Sequence, residues 1–578
     1  MREIINTQRI LDLCISSFFI LTSIIIMRYI IPDGLTQKFL LLGYKLIGII
    51  FILLSIMFII FWFYNRNFIF KKKVCLPKLK DFLLLALPMS IVIDYAIVNI
   101  EYLDLGGLIY LIGVTLIFVL FFSFILPVIF SYFVSYNFVM FLGLALSYTI
   151  LNMAKISDNY NPGDNIFSSQ LMKEALFLLI LFSVIYFLYL FNKNIAYTAV
   201  IFFMLSGVVV NFYSHYLENT QIKEKKSDRL VEFLKNKNNE ITKKKNIYIL
   251  VYESYANLET LQHYGFDNTD QINFLKGNGF EIYNGIYSNS ALSIGTTSRI
   301  LEIESQISRD GRYYTSGNAF GLEIFKANNY KIASIFKSPY FFGSSKINWD
   351  DYHPKEDITK LGGKALTKAI FEGEFRFDIF DDDYDYNNYL ELKKEFLSSS
   401  KKNTLFWTHN NFPGHSQNSG ACKNDEKQSY FKRMEIANEE MKNDVLNIFE
   451  NDENPIIVLL SDHGPYLTKN CTILKDYKIE EINKYDIQDR YGAFLSIYWP
   501  KDINRVENNL VITQDIFPTI LSNITSNKNL FNELKVERRF FDRFNSIVAG
   551  VNVFDGIIQG GKDDGQPLFN LRSYNLPK

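Results

Sequence analysis

The sequence predicts two architectures in tandem. A multi-span α-helical membrane domain covers residues 1–214, and from 246 there follows an α/β domain with a mostly parallel sheet flanked by helices. Two observations predict the first. Hydrophobic residues make up 48% of the 578-residue chain, and they crowd into its first 214 positions. They also come in runs long enough to cross a bilayer, which takes roughly 20 mostly apolar residues. A third observation predicts the α/β domain. Beyond 246, short β-branched and aromatic runs alternate with helical patterns, as expected of strands covered by helices.

Seven runs qualify as spans, at about 11–31, 38–63, 82–100, 105–133, 137–153, 174–191 and 195–214. The third carries Pro88 and Asp94 and the fourth Pro127, so either is expected to be kinked or re-entrant. The first run is too long for a cleavable signal peptide, and no small-residue cleavage site follows it. Single polar residues within the spans, such as Lys45 and Asp94, read first as packing between helices. Arg2 and Arg9, and the loop "NRNFIFKKKVCLPKLKD" with Arg66, Lys71, Lys72, Lys73, Lys78 and Lys80, mark the cytoplasmic side. Seven spans then carry everything after 214 to the outside. Residues 215–245 are charged and amphipathic, and read as a connecting helix near the membrane surface. The net charge of −1 gives no sign of a nucleic-acid partner.

In the outer domain the first strand is Ile247 to Tyr252, running directly into Glu253. Further strands are expected in "YKIASIF" (330–336), "NTLFWTH" (403–409), "PIIVLLSDH" (455–463) and "GAFLSIYWP" (492–500). "YFKRMEIANEEMKNDVLNIFEN" between two of them is helical. Ligands of such sheets bind at the carboxyl ends of the strands. Glu253 ends one strand, and Asp462 and His463 end another. Two carboxylates and an imidazole suit a divalent metal, Zn²⁺ or Mn²⁺. A candidate nucleophile lies in "SNSALSIGTTSRIL". Gly295 allows a close approach, and Thr296, Thr297 and Ser298 follow before a helical run. A hydroxyl there would face the metal and the positive end of the helix dipole. Singly, these features read as a capped turn, a helix-starting acid and an N-cap. Their order, all at strand-to-helix turns, is what makes them specific.

"ILVYES", "GTTSR" and "LLSDHG" resemble the alkaline-phosphatase superfamily, in particular its membrane-bound sulfatase-like branch of phosphoethanolamine transferases and lipoteichoic acid synthases. The resemblance covers roughly residues 246–525. It implies a sulfatase-like (alkaline-phosphatase-like) domain in which Glu253, Thr297, Asp462 and His463 hold the metal. It also implies that Thr297 is the catalytic nucleophile, passing through a phosphothreonine diester. Thr297 matches the synthase spacing of glycine, any residue, threonine, serine; Ser298 would match the longer transferase spacing. The partners implied are a phospholipid donor and a lipid or glycan acceptor such as lipid A. The implied location is a bacterial inner membrane, with the catalytic domain periplasmic or extracellular.

Some positions depart from the pattern. No histidine follows His463. In "THNNFPGHS", Asn411 stands where the synthases have histidine, flanked by His409 and His415; these three are expected at the substrate phosphate or a second metal. His353 reads as structural. The sulfatase modification pattern needs a cysteine or serine two residues before a proline, and "GTTSR" has neither in place. Cys14 and Cys75 are expected to be free thiols, and Cys422 and Cys471, on the oxidising side, to form a disulfide. Two alternatives stand beside the transferase reading: a phosphodiesterase, phosphatase or sulfatase-like hydrolase on the same site, and a non-catalytic transporter or receptor.

Overall fold

The computed structural model describes residues 76–98, 105–131, 135–151, 170–308, 311–337, 341–342, 347–355, 386–398, 403–416, 425–469, 477–540 and 551–576. The predicted spans at about 11–31 and 38–63, and all four cysteines with the expected Cys422–Cys471 pairing, lie outside these residues. The described chain falls into two compact units, divided between Thr220 and Gln221.

In the first unit, each of the other five predicted spans coincides with helix: α1 (Ala86–Val98), α2 (Leu105–Leu120) with α3 (Leu126–Phe130), α4 (Tyr136–Leu151), α5 (Gln170–Phe191) and α6 (Lys193–Lys235). Among the described residues, two stretches are long and apolar enough to cross a membrane, Leu108–Val128 and Lys193–Val210; Tyr136–Tyr148 and Ile180–Phe191 are shorter apolar helices. The expected irregularity before Pro127 is a π turn, Phe121–Ile125, which joins α2 to α3. Proline has no N–H to give to the carbonyl four residues back, so the ladder widens there and the Leu126 N–H reaches Phe121 O instead. Val119, Phe124, Met140, Leu144 and Tyr189 pack inward, while Ile117, Phe202 and Val209 are exposed.

Helix α6 differs from expectation. It runs unbroken for 43 residues, from the seventh predicted span through most of the predicted linker. No proline or glycine interrupts residues 213–235, so nothing stops the helix at the change from apolar to charged sequence.

The second unit is built on a seven-stranded sheet of order β2-β7-β6-β1-β5-β3-β4. Its strands are β1 (Ile247–Tyr252), β2 (Phe280–Ile282), β3 (Lys331–Phe336), β4 (Asp351–His353), β5 (Thr404–Asn410), β6 (Ile456–Leu460) and β7 (Leu495–Tyr498). β6, β1, β5, β3 and β4 pair in parallel, and β7 is antiparallel to both its neighbours. All five strands read from the sequence are present. β2 and β4 were not expected, because three residues are too few to show a period; His353 closes β4. A small hairpin, β8 (Asn552–Phe554) with β9 (Ile557–Gln559), follows.

β1 is buried along its whole length, as a central parallel strand must be. Alternate residues feed two cores. Ile247, Ile249 and Val251 join Trp407, Val458 and Phe517 on one face. Tyr248, Leu250 and Tyr252 join Phe406, Leu459, Met434 and Val445 on the other. Phe233 and Ile241 belong to the first of these cores, so the packed unit reaches back before 246. The register sets Val251 beside both His409 and Leu460, and Phe336 beside His409. The carboxyl ends of β1, β3, β5 and β6 therefore open at one level.

Candidate active site

Four strand ends supply the centre. β1 delivers Glu253 and Ser254, β6 leads into Asp462 and His463, β5 brings His409 and Asn410 and runs on to Asn411, and β3 is followed by Lys337. Ser254 has φ 58°, the left-handed region that non-glycine residues seldom occupy. That turn aims its N–H at Asp462 Oδ1, 2.9 Å away, and the His463 N–H reaches the same oxygen at 2.9 Å. The other oxygen, Oδ2, lies 3.4 Å from His409 Nε2 and 3.4 Å from His463 Nε2.

His463 is oriented from both sides. Its Nδ1 is 2.9 Å from Gly464 O and 3.2 Å from Ser254 Oγ. Donation from Nδ1 to that carbonyl leaves Nε2 as an acceptor, and Ser293 Oγ stands 3.2 Å from it. Beneath the ring lies Tyr466, parallel to within 9°, with Arg490 stacked on the tyrosine at 3.7 Å. The loop carrying Tyr466 is tied down by Asp489, which accepts from Leu467 N and Thr468 N and from Tyr264 Oη. Only a glycine lets the chain pass so close, because a Cβ at Gly464 would collide with the Asp489 carbonyl.

Glu253 has a different set of partners. Lys337 Nζ donates to its Oε2 and, at 2.9 Å, to Asn411 Oδ1. His415 Nε2 is 3.8 Å from its Oε1. Burial pushes the Glu253 carboxyl up, but the Lys337 ammonium with His415 more than offsets this and holds it below the ordinary range. Asp462 is likewise held low against its burial, by His463, His409 and the Ser254 N–H. Burial pushes the His463 imidazole down, against the pull of Asp462.

Glu253, His409, Asn411, His415, Asp462 and His463, all singled out from the sequence, therefore belong to one connected group. Thr297 is not hydrogen-bonded into it. Helix α9 (Ser293–Glu302) begins earlier than expected, so Thr297 is its fifth residue rather than a residue preceding it. The hydroxyls of Ser288 and Ser290 bond the backbone just ahead of the helix, at Ser290 N and Leu292 N, and winding starts at once. Thr297 is 1% exposed, and no hydrogen bond joins it to Glu253, Asp462 or His463. Ser293, one turn earlier on the same face, holds the contact with His463. The closeness expected at Gly295 is present, since a Cβ there would run into Ser290 Oγ. Ser254, Ser293 and Lys337 were not anticipated. Their signal was positional: each sits at a strand end or helix start beside an expected residue.

The donors have the right chemistry for a divalent ion but do not close around one. The 3.4 Å separations at Asp462 match the edge of a tetrahedron with bonds of about 2.0–2.1 Å. Yet Glu253 Oε2 is engaged by an ammonium, and among the described residues no three His, Cys, Asp or Glu side chains form a group able to hold a metal.

Fold and site together define an α/β domain with a polar, acid- and imidazole-lined centre at the strand ends. The chain is similar in fold to several solved structures. Among solved structures it is similar to the lipoteichoic acid synthase LtaP from Listeria monocytogenes, at 13% identity over 56% of this chain and 84% of that one, with a TM-score of 0.36. It is similar to the integral membrane lipooligosaccharide phosphoethanolamine transferase A (EptA) from Neisseria meningitidis, at 13% identity over 77% and 95%, with a TM-score of 0.34. It is also similar to the C-terminal periplasmic domain of EcEptC from Escherichia coli in complex with Zn, at 11% identity over 49% and 83%, with a TM-score of 0.32. No protein-family model matches the sequence, and no curated protein matches it.

Proposed function

We propose that the chain is an envelope phosphotransferase. It moves a phospholipid-derived group, phosphoethanolamine or phosphoglycerol, onto lipid A or another surface glycan. One observation carries the reading: Glu253, Asp462, His463, His409, His415 and Asn411 gather at adjacent strand ends, beside a helix that carries Ser293 and Thr297 on one face. The apolar helices before residue 214 fit a donor that must come from a bilayer, and the Lys/Arg-rich loop at 66–80 favours an α/β unit on the outer side.

In the first step the Thr297 hydroxyl oxygen attacks the donor phosphorus. A phosphorus–oxygen bond forms to threonine, the bond to the diacylglycerol oxygen breaks, and the threonine proton ends on the released diacylglycerol. In the second step an acceptor hydroxyl oxygen attacks the same phosphorus, the phosphorus–oxygen bond to Thr297 breaks, and the acceptor's proton ends on the threonine oxygen. His409, Asn411 and His415 line the place where the phosphoryl oxygens would lie. A second assignment puts the covalent group on Ser293. It is favoured by the 3.2 Å contact of Ser293 Oγ with His463 Nε2 and by the greater exposure of Ser293. If water replaces the acceptor, the same site becomes a phosphodiesterase.

The test is to incubate the full chain in detergent with phosphatidylethanolamine or phosphatidylglycerol and measure diacylglycerol. Release from one of the two supports the reading, and none from either overturns it.

A further inference from the structure

We propose that Lys337 and a divalent cation compete for Glu253, so that the lysine must withdraw before the ion can bind. This rests on reading Glu253 and Asp462 as ligands of that ion. The Lys337 N–H is held by His409 O at 3.2 Å, which extends the β3–β5 ladder by one residue. The lysine's backbone is thus fixed, and only its flexible stem is free to move. The ammonium bonds Glu253 Oε2 and Asn411 Oδ1, with side chains only 19% (Lys337) and 7% (Glu253) exposed. A cation binding Glu253 would meet that ammonium across the same carboxylate group.

Charge counting favours exchange over addition. Counted by formal charge, Glu253, Asp462 and Lys337 sum to −1. A dication added to all three would leave +1 in a buried centre. A dication that displaces Lys337 leaves two carboxylates balanced. Uncompensated buried charge is strongly disfavoured, so the exchanged state is the stable one. This also accounts for donors of the right kind that do not yet close around a common point.

The probe is Zn²⁺ alone, titrated calorimetrically into the full chain and into Lys337→Met. The variant should bind at least tenfold more tightly, and Lys337→Arg, which keeps the charge, should not. Equal or weaker binding by Lys337→Met, or no binding by either protein, overturns the proposal. If Lys337→Met does not fold, the wild-type protein decides. Acetylation of Lys337, followed by peptide mass spectrometry, should rise severalfold when Zn²⁺ is added, and an unchanged yield overturns it. Neither readout uses the transfer reaction, so failure here and failure of the transferase reading are separately visible.

Discussion

At the scale of single residues, the candidate site divides into groups that a strand-end search finds and groups that it does not. Glu253, Asp462 and His463 were legible because an acid or imidazole closing a buried apolar run is unusual, and three of them follow that rule. Lys337 was not legible. A lysine after a strand reads as a surface residue until the sheet order sets β3 next to β5. Ser293 was missed because the helix was expected to begin after Ser298. Replacing Thr297 with Ala is expected to cut diacylglycerol release by about 10³-fold or more with an unchanged melting temperature. His463 gives a pH prediction. Burial holds its folded-state value below 6.5, so as pH falls the unfolded chain takes up a proton that the folded chain refuses. Stability should therefore drop below about pH 6.5, and melting curves of His463→Gln should show a weaker drop.

At the scale of elements, the long buried strands were readable from composition, while β2 and β4 are set by partners distant in sequence. Helices α12 (Tyr386–Ser398) and α13 (Glu426–Asn451) carry a feature that no periodicity reveals. Lys393, 1% exposed, bonds Glu440, Asp444 and Asn410 Oδ1 between them, just behind the tip of β5. Lys393→Met would strand two buried carboxylates and should cost about 3–5 kcal/mol in a urea titration. Asp444 behaves oppositely to His463. Burial raises its carboxyl to about 6, above the value of 3.8 it takes when unfolded. Between those values the folded state binds more protons, so this residue's contribution to stability falls as pH rises. Asp444→Asn should flatten that slope in melting curves.

On the scale of the whole molecule, hydropathy anticipated five helical segments, and the limit it set at 214 falls inside one continuous helix, a few residues short of the division between Thr220 and Gln221. α6 crosses from apolar to charged sequence without a break, because helix propensity continues where hydrophobicity stops. The α/β unit claims part of the supposed linker. Phe233 and Ile241 are buried in its core, and Arg229 pairs with Glu304 at 2.9 Å. A fragment beginning at 221 should therefore melt at a higher temperature than one beginning at 246. The shorter one forgoes burial of two apolar side chains, about 1.5–3 kcal/mol each.

The central claim is that a hydroxyl of helix α9 carries the transferred group between donor and acceptor. It is tested most directly by supplying the full chain with donor lipid and no acceptor, then mapping adducts by peptide mass spectrometry. The account predicts a phosphoethanolamine or phosphoglycerol diester on Thr297, or on Ser293 under the second assignment. Donor turnover with every α9 hydroxyl unmodified would contradict it.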